Sequence, residues 1–395
     1  MLKINTTFHK NHRNALLSKM TDGLIFVKSS DEVIRNGDWN YTFRQCSYFL
    51  YLTGVVRTNH LLLLDTKTKK AHLFIPDLDE KYRLWTGKQL TKQAAKKIYG
   101  VEAAHYLSEF DKILKQLGRK HKTLYALPNT NDFLKHHPTR LNKDFKKLVD
   151  AFDLIRSIKD SEEIKLTQKA CEITHKAFEA AMRAIAPGKL EWEIQAALEA
   201  EYKRNGVIFL AFDSIIPSGQ NASILHYVNN DAKLKKGDLL LIDAGCEWQG
   251  YAADVTRTFP ISGKFATKQK QIYQIVLDSQ KQCIAHIKEG AYTPDLHKMT
   301  AKNLMSGLVK LGIIKKGFDL NDLYEKEIHR LFFPHGTGHL LGLDVHDVGA
   351  LKKHNIKHLR TVVKLKAGMI FTVEPGIYFI EAIFDSPQKR KKFAK

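Results

Sequence analysis

The stretch LLLIDAGCEWQGYAADVTRTF, residues 239–259, decides the reading of the fold. Its first half is a strongly apolar run ending at Asp243 and its second half alternates towards Phe259, so it predicts two strands joined by a tight turn. With the turn centred on Trp248 and Gln249, Glu247 faces Gly250 and Asp243 faces Asp254. Directly opposed side chains have Cβ atoms about 4.5 to 5.5 Å apart. Two carboxylates that close inside a core repel each other unless one is protonated or a cation lies between them. A solvated rim would also accept such a pair, but Asp243 closes an apolar run and is expected to be at least partly buried. A cation is the better reading.

Downstream, HGTGHLLGLDVHDVG (335–349) presents His335, His339 and His346 among glycines that let backbone approach a site closely. TVEPG (372–376) then places Glu374 at the end of another apolar run. A lone histidine is usually structural, but three within residues 335–346, after a paired-aspartate hairpin, point to ligation. Oxygen-rich ligands with a single imidazole suit Mn²⁺, Co²⁺ or similar ions better than sulfur-rich zinc sites do.

Upstream, Asp160 offers an N-cap with Glu163 three residues on, and Ile164, Thr167, Cys171, Thr174, Phe178 and Ala181 mark one buried helix face. Pro187 and Gly188 stop that helix, and a second, with Trp192, Leu198 and Tyr202, ends at Asn205 and Gly206. Further strands are expected at His339–His346 and Met369–Val373, and helices at Gln269–Lys288 and Lys298–Leu311. Before a boundary near 150–158, the strand candidates are Leu24–Val27, Phe49–Leu52, Leu61–Leu64 and Ala71–Pro76, with helical patches at Lys10–Met20 and Ser108–Leu117. These define an α/β domain over 1–153 with no chemistry of its own, followed by a second domain over 154–395.

Composition bounds the function. The net charge of +21 invites a nucleic-acid reading, but the basic residues are scattered, without a zinc finger or a stacking aromatic series. A solvated surface and no nucleic-acid partner are expected. No apolar run is long enough for a bilayer, so no membrane partner is expected. Cys46, Cys171, Cys246 and Cys283 are widely spaced, which fits a reducing, cytoplasmic setting.

The order NASILHY (221–227), DAGCEWQGYAADVTRTFP (243–260), HGTGHLLGLDVHDVG and TVEPGIYF (372–379) resembles the pita-bread metallopeptidases, in the branch of Xaa-Pro aminopeptidase and proline dipeptidase. RQCSYFLYLTG (44–54) and YRLWTG (82–87) resemble the N-terminal domain of that branch, so the likeness spans nearly the whole chain. It implies an α/β (α+β) architecture, with an aminopeptidase-P-like α/β domain before a pita-bread (creatinase/aminopeptidase) domain. It also implies two divalent ions, Mn²⁺ foremost and Co²⁺ or Zn²⁺ as alternatives, held by Asp243, bridging Asp254, His339 and Glu374. Hydroxide shared by the ions would attack the scissile carbonyl, with Glu374 as general base. By the same resemblance His226 and His346 meet the substrate or the tetrahedral intermediate, and His335 is a further pocket histidine. Trp85 matches a tryptophan that in relatives reaches a neighbouring subunit, and homodimers or homotetramers are implied.

The implied substrates are peptides with proline at the second position, cut to release the residue before it. The IYFIEAIFDSP segment (377–387) leans towards the dipeptidase, and FRQCSYFLYLTG (43–54) slightly towards the aminopeptidase. A non-catalytic pita-bread module that binds peptides or proteins is the rival. Relatives continue into a G-[IV]-R-[IL]-E-[DE] strand whose glutamate is a fifth ligand, and the residues up to Lys395 contain no such motif. Glu381 and Asp385 lie nearby, outside that context. The expectation is a pita-bread domain lacking its final strand, with low or absent peptidase activity.

Overall fold

Apolar runs punctuated by Gly, Asn and Asp pair into strands, and longer runs with steps of three and four become helices. The computed structural model describes residues 6–137, 139–349, 356, 359–381, 385 and 387, and the chain divides into two compact units, Met1–Arg156 and Ser157–Lys395. The basic run 389–392 and part of the segment after Glu381 lie outside the described residues.

The strands of the first unit are β1 (Leu24–Lys28), β2 (Ile34–Asn36), β3 (Trp39–Asn40), β4 (Leu61–Asp65), β5 (Lys70–Ile75), β6 (Ala103–Tyr106), β7 (Thr123–Ala126) and β8 (Asn142–Asp144). Six form one mixed sheet in the order β6-β5-β4-β1-β7-β8, while β2 and β3 make a separate hairpin. Every residue of β4 and all but the last of β1 are buried, so both read as unbroken apolar runs rather than alternating ones. The helices are α1 (Thr6–Lys19), α2 (Ser47–Thr53), α3 (Glu80–Thr86), α4 (Lys92–Tyr99), α5 (Phe110–Gly118), α6 (Asn131–Lys135) and α7 (Lys146–Ser157). Phe49–Leu52, expected as a strand, lies in α2, which Gly54 ends at φ 68 by donating its N–H to Leu50 O. A four-residue apolar run carries no period of its own, and the left-handed glycine decides the matter. Trp85, on α3, is exposed.

In the second unit α8 (Ser161–Ala184) starts as expected: Asp160 accepts from Glu162 N and Glu163 N, and the Glu163 side chain returns to Asp160 N. Its buried face runs through Thr167, Ala170, Thr174, Ala177 and Ala181, whereas Cys171 is exposed. The expected Thr167, Thr174, Phe178 and Ala181 are all buried, Ile164 is half-buried, and Ala170, Ile173 and Ala177 complete the face. Ala170, Ile173 and Ala177 share a core with Ile194, Leu198 and Tyr202 of α9 (Glu191–Arg204) and with Leu240, Ile242 and Ala244.

Those last three belong to β9 (Leu239–Ala244), which is followed by β10 (Glu247–Trp248), β11 (Tyr251–Ala252) and β12 (Val255–Pro260). Because strand side chains alternate, the even positions of β9 enter the helical core and Asp243 points to the other face. The turn is Gln249–Gly250, at φ 55 and 88, and Trp248 pairs with Tyr251. Asp243 therefore pairs with Thr256, and the expected opposition of Asp243 to Asp254 is corrected by two residues. The two-residue turn takes the pair that best tolerates a left-handed backbone, Gln-Gly rather than Trp-Gln. A shift of two preserves strand parity, so Asp254 stays on the face of Asp243 as its diagonal neighbour.

Tyr251–Phe259, expected as one strand, is broken at Ala253 and Asp254. His339–His346 and Met369–Val373 are not regular strands. They are joined by a ladder of backbone bonds: Leu341 N to Ile370 O (3.0 Å), Thr372 N to His339 O (2.9 Å) and Glu374 N to Thr337 O (2.8 Å). Helices α10 (Thr267–His286) and α11 (Thr293–Lys310) lie beside this second pair, with Cys283, Leu296 and Leu365 packed against Phe371 and Val373, and α12 (Leu320–Glu325) follows them. No described helix is long and apolar enough to cross a membrane.

Both pairs contain a glycine that nothing larger can replace. A Cβ on Gly245 would lie 1.8 Å from Ala253 O, and one on Gly338 would lie 1.8 Å from Thr372 O. Gly245→Ala and Gly338→Ala are each expected to lower unfolding stability by about 1–3 kcal/mol or more, read by denaturant midpoint. An unchanged midpoint would contradict these close approaches.

Candidate metal centre

The two antiparallel pairs bring acidic and imidazole groups into one pocket. Asp243 comes from β9, Asp254 from the break before β12, His339 from the glycine-flanked segment and Glu374 from the segment paired with it. His339 Nε2 lies 3.1 Å from Asp254 Oδ2 and 3.3 Å from Glu374 Oε1, so the imidazole joins one pair to the other. Its tautomer follows from its other nitrogen: Nδ1 lies 3.0 Å from Leu340 O, a carbonyl that can only accept. Nε2 is thus the nitrogen turned to the carboxylates. Thr372 Oγ1 donates to Glu374 Oε1 at 3.0 Å, and Thr372 reaches the same face because it precedes Glu374 by two residues.

The electrostatics are those of crowded, partly dry carboxylates. Burial, then the charges of Asp254 and Glu374, push Asp243 up to about 7, and its Oδ1 is buried without a hydrogen-bond partner. Burial and the neighbouring Asp254 charge bring Glu374 to about 7 as well. Burial works against a charged His339, but the Asp254 hydrogen bond and the Glu374 carboxylate outweigh it and raise the ring above its ordinary value. Three carboxylates, one imidazole and an orphaned buried carboxylate oxygen fit divalent ions that prefer oxygen ligands.

The remaining histidines lie around this cluster. Arg360 Nη1 donates to His346 Nδ1 at 2.7 Å, and the His346 ring stands edge-on to His339 with centroids 4.5 Å apart. Burial, then the nearby His339 and Arg360, lower His346 to about 4, so it is neutral with its proton on Nε2. His335 Nδ1 donates to Gly336 O at 2.8 Å, which leaves Nε2 to accept from the Tyr378 hydroxyl at 3.0 Å. His226 is exposed on the 219–229 segment, within electrostatic reach of His346 but without a hydrogen bond to the cluster. Among the described residues near the expected end, Glu381 and Asp385 are exposed.

Tyr378 and Arg360 belong to the site and are not legible from the sequence. Burial, then the charges of Asp243 and Glu374, raise the Tyr378 hydroxyl, which lies within electrostatic reach of both carboxylates. An aromatic after a Pro-Gly turn reads as core, and no local spacing links Arg360 to a histidine fourteen residues earlier.

Acidic and imidazole groups gathered from two strand pairs, beneath a layer of helices, define a metal-dependent hydrolase. Residues 165–391 match the model of Metallopeptidase family M24, and residues 9–125 match the Aminopeptidase P, N-terminal domain model. The chain belongs to metallopeptidase family M24. It is 36% identical to the Xaa-Pro aminopeptidase of Haemophilus influenzae, over 99% of this chain and 90% of that protein. It is similar to the structure of Escherichia coli aminopeptidase P with the inhibitor Pro-Leu, at TM-score 0.86 and 33% identity, covering 95% of this chain and 88% of the other. Zinc-substituted E. coli aminopeptidase P in complex with product gives TM-score 0.86 at 33% identity, covering 98% and 90%. The second unit therefore has the pita-bread fold, and the first is the aminopeptidase-P-type α/β domain.

Because Asp243 and Glu374 sit near 7 when folded, the metal-free native state holds more protons than the unfolded chain between about pH 4 and pH 7. Stability from these groups is therefore fully present near pH 4 and is lost as pH rises towards 7. In chelator-treated protein, Asp243→Asn is expected to melt above the parent at pH 8, with the difference vanishing by pH 4. A difference independent of pH would contradict the buried-carboxylate account.

Proposed function

We propose that this chain is a metal-dependent Xaa-Pro aminopeptidase, an exopeptidase that releases the N-terminal residue preceding a proline. The observation that carries this is the convergence of Asp243, Asp254, His339 and Glu374, with a buried Asp243 oxygen left unpaired. These four side chains would hold two divalent ions, Mn²⁺ foremost, and zinc is supported by the zinc-substituted relative. Such ions supply a positive field that lowers the pKa of water and polarises a peptide carbonyl.

The chain's own residues do the rest. Glu374, near neutral pKa, takes a proton from water and passes it to the departing proline nitrogen. His346, with Nδ1 held by Arg360, offers its Nε2 proton to the substrate carbonyl oxygen. His226, exposed and within electrostatic reach of His346, would meet the substrate, and the His335–Tyr378 pair forms a polar wall. Proline has no amide hydrogen and restricts its predecessor, so a shaped pocket rather than an extended-strand grip has to recognise it. The H. influenzae and E. coli relatives are aminopeptidases, and this favours aminopeptidase over dipeptidase activity or a non-catalytic module. Four free cysteines support a reducing, cytoplasmic setting, and the exposed Leu84 and Trp85 support self-association into dimers or tetramers.

The test is turnover of an Xaa-Pro peptide and its Xaa-Ala counterpart by Mn²⁺-loaded protein, with metal content read by mass spectrometry. About two ions per chain and preference for the proline peptide are expected. Glu374→Gln should lower kcat by about 10²–10⁴-fold. Metal-free protein under saturating Mn²⁺, or indifference to proline, would overturn the proposal. Reading metal alongside turnover keeps weak activity and a missing metal site as separate results.

A further inference from the structure

The polar face of α9 is turned inward. Glu191, Gln195 and Glu199 recur every four residues and so lie along one side of the helix. Each of them grips the segment 214–232, which carries His226. Glu199 Oε1 accepts from Ser214 Oγ at 2.9 Å, and Gln195 Oε1 accepts from Asn230 Nδ2 at 2.9 Å. Glu191 is fully buried; it accepts from Ser218 N (2.5 Å), Ser218 Oγ (2.7 Å) and Ala232 N (3.0 Å), and from the Tyr227 hydroxyl (3.0 Å), which also faces Asp231.

Asn230, left-handed at φ 49, closes the base: Ile216 N donates to its Oδ1 at 2.9 Å, and its Nδ2 donates to Ser214 O at 2.8 Å. The same segment is stitched to the metal-centre strand, because Ile215 and Asp243 exchange two backbone hydrogen bonds of 2.9 and 2.8 Å. Between these anchors the tip stands free, with Ile224, Leu225 and His226 exposed. With these three residues exposed, the position of the tip is set by the anchors at its base.

We propose that the Glu191–Gln195–Glu199 face of α9 is a positioning device for His226, with the buried Glu191 carboxylate as its main clamp through Ser218, Tyr227 and Ala232. What His226 touches rests on the aminopeptidase reading, whereas the clamp is a statement about loop order alone. Glu191 does not reach substrate; it acts through the loop.

The test is a double-mutant cycle of Glu191→Gln and His226→Ala on Mn²⁺-loaded protein, with hydrogen exchange of residues 219–229 read in parallel. Glu191→Gln keeps the shape but turns one acceptor oxygen into a donor. We expect it to lower kcat about tenfold with KM and metal content little changed, and to cost nothing further once His226 is alanine. Exchange over 219–229 should accelerate about tenfold, with 239–259 unaffected. Fully additive losses, or unchanged exchange in the loop, would overturn the proposal. If Glu191→Gln does not fold, Tyr227→Phe, which removes a single donor, carries the same cycle. A parent protein with neither bound Mn²⁺ nor Xaa-Pro turnover would defeat the aminopeptidase reading, and wherever turnover is too low for the cycle the exchange result judges the clamp by itself.

Discussion

Asp243, Asp254 and Glu374 bring three carboxylates into one partly dry cluster, with His339 as the imidazole in hydrogen-bonding contact with two of them. Isolated carboxylates would not accumulate there, because burial and mutual repulsion both favour the protonated form. The second unit is organised around this unfavourable arrangement. Two strand pairs supply the charges, and the helices behind them supply the apolar cores that keep the pairs in place.

The two pairs solve the same problem twice. In each, a glycine sits against a carbonyl of the facing segment, Gly245 at Ala253 and Gly338 at Thr372, so the backbones approach beyond what any side chain permits. In each, a threonine steadies a carboxylate from the same face: Thr256 opposite Asp243, and Thr372 hydrogen-bonded to Glu374. His339 then links the halves through Asp254 and Glu374. Close backbone approach and the threonine contacts let acidic groups from separate segments share one small volume, with one Asp243 oxygen still unpaired.

Much of this was legible in the amino-acid order. The capping box at Asp160 and Glu163 and the apolar run into Asp243 name their structures, because each rests on local chemistry, whereas the glycine-spaced segment of His335, His339 and His346 is not the strand its apolar residues predict. The hairpin register was not legible, since Trp248, Gln249 and Gly250 offer two overlapping turns and only backbone strain separates them. On α8 the expected face holds at Thr167, Thr174, Phe178 and Ala181, and Cys171 misses it because the small Ala170 carries the packing at that turn. Long-range partners such as Arg360 for His346, Tyr378 for His335, and Glu191 for the loop base leave no periodic trace. They depend on segments far apart in sequence meeting through the fold.

The account stands on the ability of these four side chains to attract divalent cations. Crystals grown with Mn²⁺ and measured at the manganese absorption edge test this directly. Anomalous density within ligand distance of Asp243, Asp254, His339 and Glu374 is the predicted result. A clean map at that position, with saturating ion present and the four side chains ordered, would contradict it.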